Sequence, residues 1–191
     1  MGVPESIHAL NMPPKEHPLD ERQRKYLDVA REKIGFVPNV LRSYAWHAGK
    51  FDAFTRLYND LMLGDSGLTK LQREMIAVVV SSANRCHYCL VAHGAAVREI
   101  AGDPVLGEQL VTNYRTAALD PKDRAMLDFA YALTTRPDAI DDPDRATLRD
   151  AGWADRDIWD IAAVAAFFNM TNRMSVAIDL RPNNEYHGAS R

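Results

Sequence analysis

KLQREMIAVVVSSANRCHYCLVAHGAAVREIA, residues 70–101, is the stretch whose reading decides the fold. Thr69 stands just before it and Gln72 three residues on, the spacing of a capping box at a helix start. Met75 to Val80 is apolar all round. Its length and its cap favour a buried helix over a strand. Asn84-Arg85 makes a tight turn, Cys86 begins a second helix, and Gly102 ends it. The stretch therefore predicts an antiparallel helical hairpin with one arm fully buried.

The surrounding punctuation also reads as helices. Asp20 to Ile34 places Tyr26, Leu27, Ala30 and Ile34 on one face before Gly35 stops it. Pro38 opens a second helix, and Lys50 to Leu63 forms a third with Phe51, Phe54, Leu57, Tyr58 and Leu61 at helical spacing. A short helix follows Pro104. Asp120-Pro121 and Asp142-Pro143 are N-cap and first-turn proline pairs for two more helices. Asp155 begins the last long stretch. Its run Ile161 to Phe168 is expected to be buried, with a break near Asn169 to Asn172 and a final helix to Leu180. No segment reads as a strand, so the fold class is all-α.

An internal echo points to a duplicated helical unit. Glu74 precedes an apolar run and reaches Cys86 twelve residues on, and Asp160 precedes Ile-Ala-Ala-Val-Ala-Ala and reaches Asn172 at the same spacing. Asn172 and Ser175 stand where the first copy has Cys86 and Cys89. The division of the chain reads as a Pro-rich arm over 1–19, a helical domain over 20–181 and a polar tail over 182–191.

With 191 residues, 47% of them hydrophobic and a net charge of −3, the composition is that of a globular domain, and no basic cluster suggests nucleic acid or an anionic membrane. The longest apolar run falls far short of the ~20 residues of a membrane span. The first eighteen residues carry four prolines and no apolar core of a signal peptide. A reducing, cytoplasmic setting is expected. There, a close cysteine pair is more often catalytic or metal-binding than structural.

Cys86 and Cys89 are the only cysteines. With His93 they lie at i, i+3 and i+7, on one helical stripe. Glu74 sits two to three turns back along the preceding helix, so folding the hairpin brings it near His93 rather than near Cys86. A thiolate is needed for attack on peroxide or disulfide sulfur. A helix N-terminus and Arg85 favour the anion, a histidine can take the proton, and a carboxylate can orient the histidine. Helix position favours Cys86 as first attacker and proximity to His93 favours Cys89, so the order stays open. The same four residues are donors that zinc accepts, although structural zinc more often joins two separated ligand pairs. His8, His17, His47 and His187 show no ligand spacing.

The pattern Glu74, Cys86-x-x-Cys89, His93 resembles the core motif of the alkylhydroperoxidase-D-like proteins of the carboxymuconolactone decarboxylase superfamily. Gly35-Phe36-Val37-Pro38-Asn39 resembles the peroxidase-related branch of that family. The resemblance implies an all-helical oligomer (dimer, trimer or hexamer) that reduces hydroperoxides with its cysteine pair and needs no cofactor. Glu74 and His93 match the proton relay. A lipoyl or thioredoxin-like dithiol partner would restore the thiols. The best-known members carry histidine immediately before the second cysteine; this chain has Tyr88 there and His87 one step earlier, leaving both as auxiliary candidates. Decarboxylase-type relatives generally lack the paired cysteines, which argues against that chemistry. A redox-sensing scaffold is the remaining non-enzymatic reading.

Overall fold

A computed structural model describes residues 6–13 and 18–191. Among the described residues there is no strand. The helices are α1 Glu21–Ile34, α2 Asn39–Tyr44, α3 Ala48–Leu63, α4 Lys70–Ala83, α5 His87–Ala101, α6 Pro104–Asn113, α7 Pro121–Thr135, α8 Asp142–Asp150, α9 Asp155–Ala177 and α10 Glu185–Gly188. The all-α class expected from the sequence is what forms.

The central element is α4. Thr69 accepts from the Gln72 backbone N–H and the Gln72 side chain accepts from the Thr69 N–H, closing the expected capping box. Helices α3, α5, α6, α7 and α9 all pack on α4. Ile76 to Val80 consequently have no exposed surface. Each buried Ile or Val contributes roughly 1.5–3 kcal/mol of transfer free energy, which explains a helix with no polar face in its middle.

The corner between α4 and α5 is pinned from the far side of the chain. Arg85 adopts the left-handed region at φ +53, uncommon for a residue other than glycine. Its neighbour Asn84 donates to the side-chain oxygens of both Asn169 and Asn172, each at 3.0 Å. Asn172 is fully buried and donates to the Ser81 hydroxyl at 3.0 Å. The corner therefore holds its shape because α9 supplies its hydrogen bonds.

Several expectations are corrected. The break near Asn169 to Asn172 does not occur: α9 runs unbroken from Asp155 to Ala177. The Asn172 amide is engaged from outside the helix by Ser81 and Asn84, and the Asn169 amide donates both to Thr134 and to Ala165 O one turn back in its own helix, a bond that leaves the helix intact. The echo segment from Asp160 to Ser175 thus lies within one helix and forms no hairpin of its own. The run Ile161 to Phe168 is not wholly buried, since Ala166 faces outward. Asp141, rather than Asp142, caps α8, with Asp144 completing the box. His47 caps α3, so that helix starts two residues earlier than its periodicity indicated.

The tail and arm fold back on their own chain. Arg181 N–H donates to Ile7 O and Ala9 N–H to Ile178 O, each within 2.9 Å, so residues 7–9 run beside 178–181. Residues 1–5 and 14–17 of the arm, with His17, lie outside the described residues. The tail expected to be merely polar carries α10, tied down by Arg98, whose guanidinium donates to Ala189 O at 2.9 Å.

Candidate active site

Cys86 is the N-cap residue of α5 and Cys89 lies in its first turn. Both are free thiols and both are buried. Their environments drive them apart. The Cys86 thiol is pulled down to about 7, first by hydrogen bonding from the Cys89 thiol. Burial opposes this, while the Cys89 N–H, the charge of His93 and the Ser175 hydroxyl assist it. The Cys89 thiol is pushed up, first by the adjoining Cys86 sulfur and then by burial. The two shifts favour the anion on Cys86 over Cys89, with the Cys89 thiol donating to the Cys86 sulfur.

The antiparallel arrangement of α4 and α5 brings Glu74 to His93, with Nδ1 and Oε2 at 2.6 Å. Their side chains are only 12% and 15% exposed, and the Phe168 ring meets the imidazole edge-on at 4.6 Å. With Nδ1 held by the carboxylate, Nε2 is the ring nitrogen left to exchange a proton.

Glu74, Cys89 and His93 open onto a cavity of about 620 Å³. Its walls come from α1 to α5, α9 and α10, and are mostly aliphatic and aromatic, with Phe54, Phe167 and Phe168 prominent. Cys89 is part of this wall, and Cys86 lies behind it in a small apolar cluster with Ile178 and Leu180. Lys33, Glu99 and Leu63, all exposed, are at the mouth.

The two auxiliary candidates part company. Tyr88 turns inward onto the cavity, where its hydroxyl accepts from the Val40 N–H at 3.0 Å. His87 turns outward to a separate polar pocket beside Arg42, with His187 at 6.2 Å between ring centroids. Tyr58 and Tyr186 also line the cavity. Burial, then the negative charge of Glu74, pushes both phenols up, so they remain hydrogen-bond donors at neutral pH. In the sequence Tyr58 belongs to the apolar stripe of α3 and Tyr186 to the polar tail; a tyrosine within an apolar stripe is the one local signal for the former, and nothing local marks the latter. Ser175 and Asn172, read from the echo as silent counterparts of the cysteines, lie against the cysteines themselves. Of the tryptophans, Trp153 is buried under Lys122 and Trp159 is on the surface, both apart from the cavity.

The zinc reading is not supported by this donor set. Among the described residues no three His, Cys, Asp or Glu side chains come together to hold a metal ion. Glu74 is instead engaged with His93. Among the described residues, too, no helix is long and apolar enough to cross a membrane.

The site is thus a helical hairpin that bears a dithiol on one arm and a carboxylate on the other and faces an apolar cavity. Residues 50–104 match the model of the carboxymuconolactone decarboxylase family. An uncharacterized peroxidase-related protein from Silicibacter sp. TM1040 is 56% identical, with all of both chains covered and a TM-score of 0.94. The alkylhydroperoxidase AhpD core of an uncharacterized peroxidase-related protein from Ralstonia eutropha JMP134 is 41% identical over 97% of each chain, at a TM-score of 0.91. The debrominase Bmp8 shares the fold, with a TM-score of 0.75 at 20% identity over 91% of this chain and 94% of its own. A comparison with curated proteins gives no match. The chain belongs to the carboxymuconolactone decarboxylase family, among its alkylhydroperoxidase-D-like members.

Proposed function

We propose that this protein is a thiol-dependent peroxidase that reduces apolar hydroperoxides through Cys86 and Cys89. The observation that carries the reading is the Cys89 thiol, hydrogen-bonded to Cys86 behind it, at the cavity wall that also holds the Glu74–His93 pair. The peroxidase-related relatives support it.

Charge and access favour different sulfurs. The anion rests on Cys86, whereas Cys89 is the sulfur at the cavity. Access decides, because the attacking sulfur must touch the peroxide, and a proton moves readily between hydrogen-bonded sulfurs. Cys89 passes its proton to Cys86 and attacks the distal peroxide oxygen. The O–O bond breaks, the alkoxide takes a proton from the His93 imidazolium, and an alcohol and a Cys89 sulfenic acid result. Cys86 then yields its proton to His93 and attacks the Cys89 sulfur. Hydroxide leaves, regains that proton as water, and a disulfide remains. Glu74 holds the ring and balances its charge through both steps. A lipoyl or thioredoxin-like dithiol in the cytoplasm, oxidised in exchange, returns both thiols.

Adding cumene hydroperoxide to the reduced protein tests this. Two thiols per chain should be lost as an intramolecular disulfide forms. Cys89→Ser should abolish the reaction, Cys86→Ser should leave a sulfenic acid that dimedone traps, and Glu74→Gln should slow the wild-type reaction about 10²-fold. Thiols that persist at the rate of free cysteine would sink the peroxidase reading.

A further inference from the structure

Tyr58 is a polar group at the cavity that the chemistry described so far does not use. It comes from α3, which packs on α4 and α9. Its ring packs against both Phe54 and Phe167, 6.2 Å from each between centroids. Those aromatic neighbours fix where the hydroxyl stands. Among the described residues that hydroxyl has no hydrogen-bond partner, and it opens onto the cavity rather than being sealed in the core. Other phenols along the same walls are engaged: Tyr26 donates to Asn59 at 2.8 Å, and Tyr88 accepts from the Val40 N–H. A hydroxyl kept in an apolar cavity without a protein acceptor carries a free-energy cost that a bound acceptor offsets.

The charges around the cavity group Tyr58 with the reacting residues. Burial first, and the charge of Glu74 second, push the Tyr58 phenol up, so it keeps its proton at neutral pH. Tyr88 in turn feels both Tyr58 and Cys89. Tyr58 is therefore a neutral donor beside Glu74 and on the same cavity as the accessible sulfur.

Reduction of a hydroperoxide creates a need for such a donor. As the Cys89 sulfur attacks the distal oxygen, an S–O bond forms and the O–O bond breaks. The sulfur is oxidised to a sulfenic acid and the peroxide is reduced to an alcohol. Negative charge builds on the oxygen that carries the organic part. His93 meets that oxygen with one proton, and its other lone pairs stay without partners in an apolar space. The organic part belongs against Phe54 and Phe167, so the oxygen joined to it points toward the wall that carries Tyr58.

We infer that Tyr58 is a further catalytic residue, its hydroxyl donating a hydrogen bond to the departing alkoxide oxygen. It keeps its proton throughout, and His93 supplies the one that completes the alcohol. A fixed donor aimed at developing charge acts as an oxyanion hole does. The inference rests on the peroxidase reading above.

The test is single-turnover oxidation of the reduced full chain, wild type and Tyr58→Phe, with two oxidants. Cumene hydroperoxide releases an alkoxide, which needs the donor. Peracetic acid releases acetate, which leaves without one. Tyr58→Phe should slow thiol loss with cumene hydroperoxide about 10²-fold and leave the peracetic acid rate within about twofold of wild type. The variant removes an oxygen that bonds to nothing in the described chain, so its urea midpoint should not fall. Fast oxidation of the wild type by cumene hydroperoxide, matched by Tyr58→Phe, would overturn this inference alone. Equal slowing with both oxidants, or a lowered urea midpoint, would show that Tyr58 shapes the cavity and would also overturn it. A wild type no faster than free cysteine would overturn the peroxidase reading and this inference with it.

Discussion

Two sulfurs one helical turn apart behave as different groups because their surroundings differ. Cys86 sits at the N-cap and collects hydrogen bonds from the Cys89 thiol, the Cys89 N–H and Ser175, which lower its pKa to about 7 from an ordinary thiol value of 9.0. The sign of the linked stability follows. A depressed thiol pKa favours folding above the unfolded value and loses that contribution as pH falls through the folded one. Stability relative to Cys86→Ser should therefore rise from pH 7 toward pH 9 in urea titrations. The same shift sets reactivity: the ultraviolet absorbance of thiolate in the reduced protein should be half developed near pH 7 and lost in Cys86→Ser. A midpoint near that of free cysteine would contradict this account.

At the scale of elements, the short helix α10 matters more than its length suggests. It brings Tyr186 onto the cavity, where its ring packs edge-on against Phe36 at 4.8 Å. An aromatic pair of this kind contributes about 0.5–1.5 kcal/mol beyond its burial. If the cavity receives the organic part of a hydroperoxide, Tyr186→Ala should raise KM for cumene hydroperoxide about tenfold, since ~1.4 kcal/mol is a factor of ten. The KM for hydrogen peroxide should not move, because so small a molecule leaves that wall untouched. Equal effects on both would show that α10 is structural support only. The capping box of α4 and the hairpin turn into α5 were legible in residues 69–102, since both depend on local hydrogen bonds. The role of α10 was not, because a four-residue helix has no periodicity to read.

At the scale of the molecule, five helices bury the middle of α4, and the stability of the whole hangs on that packing. Ile76→Ala would leave a cavity with no solvent access and should cost about 2–5 kcal/mol, read as a lower urea midpoint in a single transition. A loss under ~1 kcal/mol would mean that the neighbouring helices close the gap.

The sequence by itself determined the all-α class and most helix starts, and it singled out Glu74, Cys86, Cys89 and His93 as the candidate site. These follow from caps, turns and helical spacing, which act over a few residues. It also placed Glu74 near His93, because one hairpin suffices to bring them together. Tertiary structure decided that α9 stays unbroken through Asn169 to Asn172: Ser81 and Asn84 engage Asn172 from across the fold, and Asn169 meets Asn84 and Thr134 from elsewhere as well as Ala165 O in its own helix. It also decided that Ser175 touches the cysteines, that Tyr186 returns from the tail to the cavity, and that Tyr88 faces in while His87 faces out. Contacts across long stretches of chain depend on how whole helices pack, and no local pattern records that.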